Sequence, residues 1–299
     1  MALEKMDAAP GFYQQHVGDI VVTALSDGFL GGTLDVLRNI REDEARQILT
    51  DNFRPARRTA VNAYLIQSSG RVALIDSGCG NYLQPTAGKM LSNLDSASVD
   101  PAIIDTVLLT HMHPDHSAGL SNIATGQRNF SNAQLVVHES ESKHWFDDVQ
   151  MHKGNAIERR LFFQASREQV APYKGRMSTF RSGEVFPGVT ALPAHGHTPG
   201  HTMYMVSSGN QQLLLWGDIV HVPEVQTLRP EVCMVFDTDQ SAAEATRRRV
   251  FDMVATDRLL VAGMHLHFPG FAHLVRLGAG YRLIPTAWEQ QSSINRSVP

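Results

Sequence analysis

Apolar residues along this chain come in short runs that alternate between a strand-like and a helix-like period. Residues 19–26 read as a strand, with Asp27-Gly28 as a turn after it. Val36, Leu37, Ile40, Ala45 and Leu49 fall at helical spacing and predict a helix over 35–49, with acidic residues in its middle. Residues 59–66 and 72–75 read as two strands around the hairpin signal Gln67-Ser68-Ser69-Gly70. Helical material is expected over 86–94, a buried strand over 103–109, a strand over 135–138 and a helix over 139–146. Residues 150–182 carry Phe162, Phe163, Tyr173 and Phe180 without a firm period, and a helix over about 156–166 is the reading there. Strand signals return at 189–192, 202–206 and 212–215. An amphipathic helix is expected over 239–256, and a last short strand over 259–262.

The strands form two series, roughly 19–138 and 189–262, each with helices. No Pro/Ser-rich linker or low-complexity tract divides them, so a single domain over 1–299 is expected, with a core of about 18–275. That order predicts an α/β (α+β) fold in which two sheets face each other with helices outside.

Composition narrows the class only slightly. The 299 residues are 42% hydrophobic and 19% charged, ordinary for a globular protein. A net charge of −4 gives no reason to expect nucleic acid or an anionic membrane as partner. Two cysteines, Cys79 and Cys233, exclude a disulfide framework and a thiolate metal site. No run of about eighteen apolar residues asks for a membrane span. Residues 1–7 are acidic and lack the apolar segment of a leader; with the free thiols this points to the cytoplasm, although a leader already removed is compatible with it.

Histidine changes the picture. Ten of the 14 lie at or near four short clusters, 111–116, 195–201, 221 and 265–273, where surface histidine would be scattered. His111-Met112-His113-Pro114-Asp115-His116 offers three imidazoles and a carboxylate just after the apolar run 103–109. His195-Gly196-His197-Thr198-Pro199-Gly200-His201 lies between two expected strands. Gly217-Asp218 ends a third, with His221 three residues on, and His265-Leu266-His267-Phe268-Pro269-Gly270 follows a fourth. Imidazole and carboxylate are the ligands of borderline and hard divalent ions, and strand ends at one edge of a sandwich can converge on one site.

These four motifs in this order resemble the metallo-β-lactamase superfamily over residues 18–275. Ala24-Leu25-Ser26-Asp27-Gly28, Gly217 to Val222 and His265 to Phe271 are most similar to its branch of methyl parathion hydrolase-like enzymes and bacterial lactonases. The resemblance implies an αββα sandwich with a binuclear metal centre on one edge. His111, His113 and His197 would bind the first ion, Asp115, His116 and His265 the second, and Asp218 would bridge them. His267 is the alternative for the last ligand. Three imidazoles and an open position suit a catalytic zinc, and the second site, with its extra carboxylate, also suits Mn, Co or Fe. A water between two cations loses its proton near neutral pH and serves as nucleophile.

Asp115, Asp218 and His221 are the residues expected to take part in catalysis, His221 by polarising a carbonyl or protonating a leaving alkoxide. Asp76, before Ser77-Gly78, either orients a ligand histidine or caps a turn. His195 and His201 are expected to support the ligand between them. His273 matches a recurring family histidine of unassigned duty, and His16, His138, His144 and His152 read as ordinary.

A water nucleophile and Lewis-acid metals suit hydrolysis, and the fold alone does not choose among esters, lactones, amides, thioesters and phosphoesters. No Lys/Arg cluster flanks the motifs, which favours a small, neutral, partly apolar substrate: a lactone or aryl ester, with organophosphate triesters as a side activity. Trp145, Phe146, Phe162, Phe163 and Phe271 are candidates for the pocket wall. A β-lactamase or a glyoxalase-type thioester hydrolase shares the same metal logic. From another class, iron oxidoreductases use the same fold, but no flavin domain is expected here. The resemblance also allows a homodimer.

Overall fold

The computed structural model describes residues 11–54 and 56–289. Residues 1–7, read above as lacking a leader, lie outside the described residues. The first sheet holds β1 (Phe12–Val17), β2 (Ile20–Gly32), β3 (Arg57–Ser68), β4 (Arg71–Ile75), β5 (Thr106–Leu108), β6 (Gln134–His138) and β7 (Met177–Phe180). The second holds β8 (Gly183–Phe186), β9 (Val189–Pro193), β10 (Thr202–Ser208), β11 (Gln211–Leu215), β12 (Leu260–Ala262), β13 (Phe271–Leu277) and β14 (Gly280–Pro285). Within each sheet the strands lie side by side in chain order.

Alternation sets the layers. Tyr64, Ile66, Ala73 and Ile75 meet Tyr204, Val206, Leu213 and Leu215 in the core between the sheets. Their odd-numbered or even-numbered neighbours Ala63, Leu65 and Leu74 face outward, under α2 (Met90–Ser96) and α4 (Glu139–Trp145). Leu214, Val261 and Ala272 likewise pack under α5 (Gln240–Asp257) through Val250, Phe251 and Val254. The expected αββα sandwich is therefore the observed one.

The pairing decides where the chemistry sits. Strands β4, β5 and β6 are parallel, as are β11 and β12, and β9 runs the same way as β11 because two antiparallel steps separate them. All their C-terminal ends therefore open on one edge. Cross-sheet bonds close that edge, Thr202 N–H to Thr110 O at 2.9 Å and Asn62 N–H to Met264 O at 2.8 Å.

Several elements differ from expectation. Asp27-Gly28 is not a turn but a bulge inside β2, where Gly28 has φ +109° and the register slips against β3. The helix expected over 35–49 begins only at Glu42, as α1 (Glu42–Asp51). Its acidic residues Glu42, Asp43 and Glu44 occupy the first turn, where the helix dipole favours them. Upstream, Leu37–Arg38 instead pairs with Cys233–Met234. The helix expected over 86–94 is Met90–Ser96. The segment 150–182 forms consecutive helical turns from Ala156 to Tyr173, with one wide π-turn at Arg159–Gln164. That irregular turn is why no single period appeared. Strands β1, β7, β8, β13 and β14 went unread: all five lie at or next to a sheet edge, where polar side chains break the apolar alternation.

No helix among the described residues is long and apolar enough to cross a membrane. Cys79 and Cys233 are both buried and free. Gly119 marks the tightest contact beneath the site: a Cβ there would stand 1.8 Å from the Ser77 carbonyl oxygen. Gly119→Ala is expected to lower stability by about 1–3 kcal/mol, read as a lower urea midpoint, because the Ser77 loop must give way.

Candidate metal centre

The ligand-type side chains leave the ends of five strands: Asp76 after β4, His111 to His116 after β5, His197 after β9, Asp218 after β11 and His265 after β12. In the second group the backbone itself separates the ligands. His113 is extended and caps α3 (Pro114–Ser117), whose first helical residue is proline. His111 and His113 therefore precede this helix, while Asp115 and His116 lie on its first turn.

All seven expected ligands meet. His111 Nε2, His113 Nδ1 and His197 Nε2 form a triangle with edges of 3.1, 3.0 and 3.2 Å. Asp115, His116 and His265 form a second group, with Asp115 Oδ2 at 3.6 Å from His116 Nε2 and 3.5 Å from His265 Nε2. Asp218 stands between them. Its Oδ2 is 3.3 Å from His197 Nε2 and 3.2 Å from His265 Nε2, and its Oδ1 is 3.2 Å from His116 Nε2.

The residues fit a cation. Nitrogens bound tetrahedrally at zinc distances would lie about 3.3 Å apart, close to the edges of the His111–His113–His197 triangle. Three ring nitrogens pointing at one another cannot all be paired by hydrogen bonds, because each ring nitrogen is either a donor or an acceptor. His116 Nε2 and Asp218 Oδ1 are buried and make no hydrogen bond. These side chains are positioned to bind metal.

Charge points the same way. Burial pushes His111 and His113 well below the usual imidazole value, and neighbouring imidazoles add to it. Burial opposes charge on His116 too, but Asp218, Asp115 and Asp76 outweigh it and hold that ring well above its usual value. Burial would raise the Asp218 carboxyl, yet the surrounding histidines hold it well below the carboxylate range.

The far nitrogens of His116, His265 and His197 are anchored, whereas that of His113, its Nε2, is buried without a hydrogen-bond partner. His116 Nδ1 lies 2.8 Å from Asp76 Oδ2, and the same carboxylate accepts the Thr110 N–H and hydroxyl, both at 2.8 Å. His265 Nδ1 donates to Ala60 O at 2.7 Å. His197 Nδ1 lies 2.7 Å from Asp237 Oδ1. Such contacts fix the ring and leave its other nitrogen for the ion.

The structure brings His265 to the cluster and leaves His267 outside it, paired with Glu224 at 2.6 Å on the far side of the loop. His201 is buried, with its Nδ1 donating to Ala194 O and its Nε2 accepting the Asp218 N–H at 2.8 Å. It thereby holds the Asp218 backbone. His195 is exposed and lies 5.1 Å, ring to ring, from His138, which caps α4 by accepting the Ser140 N–H. His273 is exposed on β13, away from the cluster. His221 stacks on His265 with centroids 5.1 Å apart, and its Nε2 lies 2.9 Å from Asp218 Oδ2.

A cavity of about 410 Å³ opens above His113, Asp115, Asp218, His221 and His265. Leu30, Leu83, Ile157, Leu161, Phe162 and Phe236 wall it. Of the expected aromatic wall, Phe162 alone lines this cavity. Trp145 and Phe163 are buried in the outer core, Phe271 lies between the sheets, and Phe146 is exposed.

Sequence reading missed Asp237, Glu141 and Arg247. Asp237 sits in a loop with no histidine motif to mark it. Arg247 opens a run of three arginines in the expected amphipathic helix over 239–256. It is buried and donates to the carbonyls of Ile219, Pro230 and Val232, which fixes the chain after Asp218. Its helical position, three residues before the buried Val250, was the available signal.

A two-sheet sandwich with a His/Asp centre at one edge defines a metal-dependent hydrolase class. The metallo-β-lactamase superfamily model matches residues 56–265, and the chain belongs to that superfamily. It is 32% identical to the hydrolase AbOPH of the β-lactamase superfamily, with a TM-score of 0.89 over 95% of this chain and 100% of that one. AidC, a dizinc quorum-quenching lactonase, is 23% identical, with a TM-score of 0.87 over 94% and 99% of the two chains, a likeness of fold. Among curated proteins, the endoribonuclease ysh1 of Schizosaccharomyces pombe is 24% identical over 197 residues, 62% of this chain and 25% of that protein. The match to YobT of Bacillus subtilis is 25% identical over 145 residues, 48% of this chain and 56% of that protein. The matched stretch thus spans a quarter to just over half of these relatives.

Proposed function

We propose that this chain is a binuclear metal hydrolase, with zinc as the expected ion, that opens lactones or cleaves aryl esters and turns over phosphotriesters as a side activity. One observation carries the reading: two ligand groups share Asp218 at the floor of an apolar cavity. Bound divalent ions would supply Lewis-acid polarisation of the scissile carbonyl or phosphoryl group and lower the pKa of water.

The protein supplies the rest. Asp218 holds the two ligand groups in register. Asp115 presents its partly exposed carboxylate to the cavity. The aliphatic and aromatic wall receives an apolar substituent and excludes water. Arg57 is the one Lys or Arg among the described residues lining the cavity, which fits a neutral substrate better than a polyanion. His221, at the cavity wall with its Nε2 beside Asp218 and its Nδ1 without a partner, can donate a hydrogen bond to a substrate oxygen.

A panel of aryl lactones, acyl-homoserine lactones, phosphotriesters and a β-lactam on the zinc-loaded protein tests the reading. Turnover of the β-lactam alone would refute it, as would iron-dependent oxygen consumption without hydrolysis. His221→Phe is expected to keep its metal and lose kcat by roughly 10²-fold. Unchanged kcat across several lactones would remove His221 from catalysis.

A further inference from the structure

Glu141 is fully buried in α4, beneath the ligand loops and outside the cavity. Its Oε2 accepts the backbone N–H of Met112 at 3.1 Å, and Met112 lies between His111 and His113. The same oxygen accepts the Trp145 indole N–H at 2.5 Å. Its Oε1 accepts the backbone N–H of Gly200 at 2.7 Å, in the loop that carries His197. No Lys, Arg or His pairs with this carboxylate among the described ion pairs. A buried carboxylate without a cation persists only where its oxygens are saturated with donors, and these three donors come from the surroundings of one triangle of imidazoles.

The packing around it is tight. A Cβ at Gly200 would stand 2.5 Å from the Glu141 amide nitrogen, so the His197 loop lies directly on α4. Trp145, held by Glu141, rests 5.4 Å from the His113 ring, centroid to centroid. The two loops come from different sheets, and the His111–His113–His197 triangle exists only when they are held at a fixed separation.

We propose that Glu141 is a positioning residue for the first metal site: one carboxylate ties the His111–His113 loop to the His197 loop and seats Trp145 against His113. This rests on the metal reading of the site. Glutamine at 141 keeps the size but presents an amide N–H₂ to a donor at one of the two oxygens, so one loop is released. Aspartate keeps the charge but is one methylene too short to span both.

The test uses the full chain and zinc alone. Zinc affinity is measured by chelator competition at a temperature well below unfolding, together with the visible spectrum of the cobalt-substituted protein and the melting point of the metal-free form. Gln169→Ala serves as the comparison, because Gln169 is another buried tie whose hydrogen bonds go to Ser121 and not to a histidine loop. Glu141→Gln is expected to weaken zinc binding about 10–100-fold and to change the cobalt spectrum. Gln169→Ala is expected to lower the melting point and leave affinity unchanged. Glu141→Gln binding zinc within twofold of wild type overturns the proposal. If that variant does not fold, Glu141→Asp decides: affinity several-fold weaker supports the proposal, and wild-type affinity overturns it. Wild-type protein that binds no zinc refutes the metal reading itself.

Discussion

Asp218→Ala is expected to empty the site of metal and to lower kcat/KM by about 10³-fold or more, roughly 4 kcal/mol of transition-state stabilisation. The size follows from the position of this carboxylate. Among the described residues it is the one side chain within 3.3 Å of histidines from both ligand groups. Without it the rings remain, but nothing negative lies between two sets of cation ligands, and two ions cannot be held close together against their mutual repulsion. The fold should persist. The Asp218 backbone is fixed by His201 through its N–H, and the next carbonyl by Arg247, and neither contact uses the lost carboxylate. A melting point near that of the metal-free wild type, with metal content after dialysis near zero, is the expected pair of results. Full activity in a variant with no bound metal would remove the central claim.

The ligand motifs were legible because they are dense and local. Four of the seven expected ligands lie within six residues, and strand-end placement could be read from the apolar runs before them. The split of His111 and His113 from Asp115 and His116 came from the family resemblance; the structure supplies its physical basis, since Pro114 starts a helix between them. What was not legible acts across long sequence separations. Asp237 is 40 residues from His197, and Glu141 is 59 from Gly200; only the folded sheets bring them together. The cavity wall was misread for a related reason. Trp145 and Phe163 have the composition of a pocket, but the outward faces of β5 and β6 need the same residues as core. Leu30, Leu83 and Phe236 come from loops and strand ends whose direction no periodicity specifies.

Asp76→Ala separates the two readings of that residue, turn cap or histidine anchor. The side chain is fully buried and accepts three bonds at 2.8 Å, from the Thr110 N–H, the Thr110 hydroxyl and His116 Nδ1. Removing it strands three buried donors. Breaking such a buried charged group costs about 3–5 kcal/mol, a large part of the 5–15 kcal/mol that holds a typical domain folded. Alanine would also inherit a left-handed backbone, since Asp76 has φ +61°. The urea midpoint is therefore expected to fall sharply. A turn cap would predict little more than this loss, and a smaller one, near 1 kcal/mol. An anchor predicts a second effect: His116 turns freely, and zinc affinity at the second site falls about 10–100-fold in protein that is still folded. Asp76→Asn should fall between, because one amide oxygen can still accept from Thr110 or from His116 but not serve all three donors. Stability lost with both zinc sites filled at wild-type affinity would return Asp76 to the turn; stability and second-site affinity lost together would place it in the metal centre.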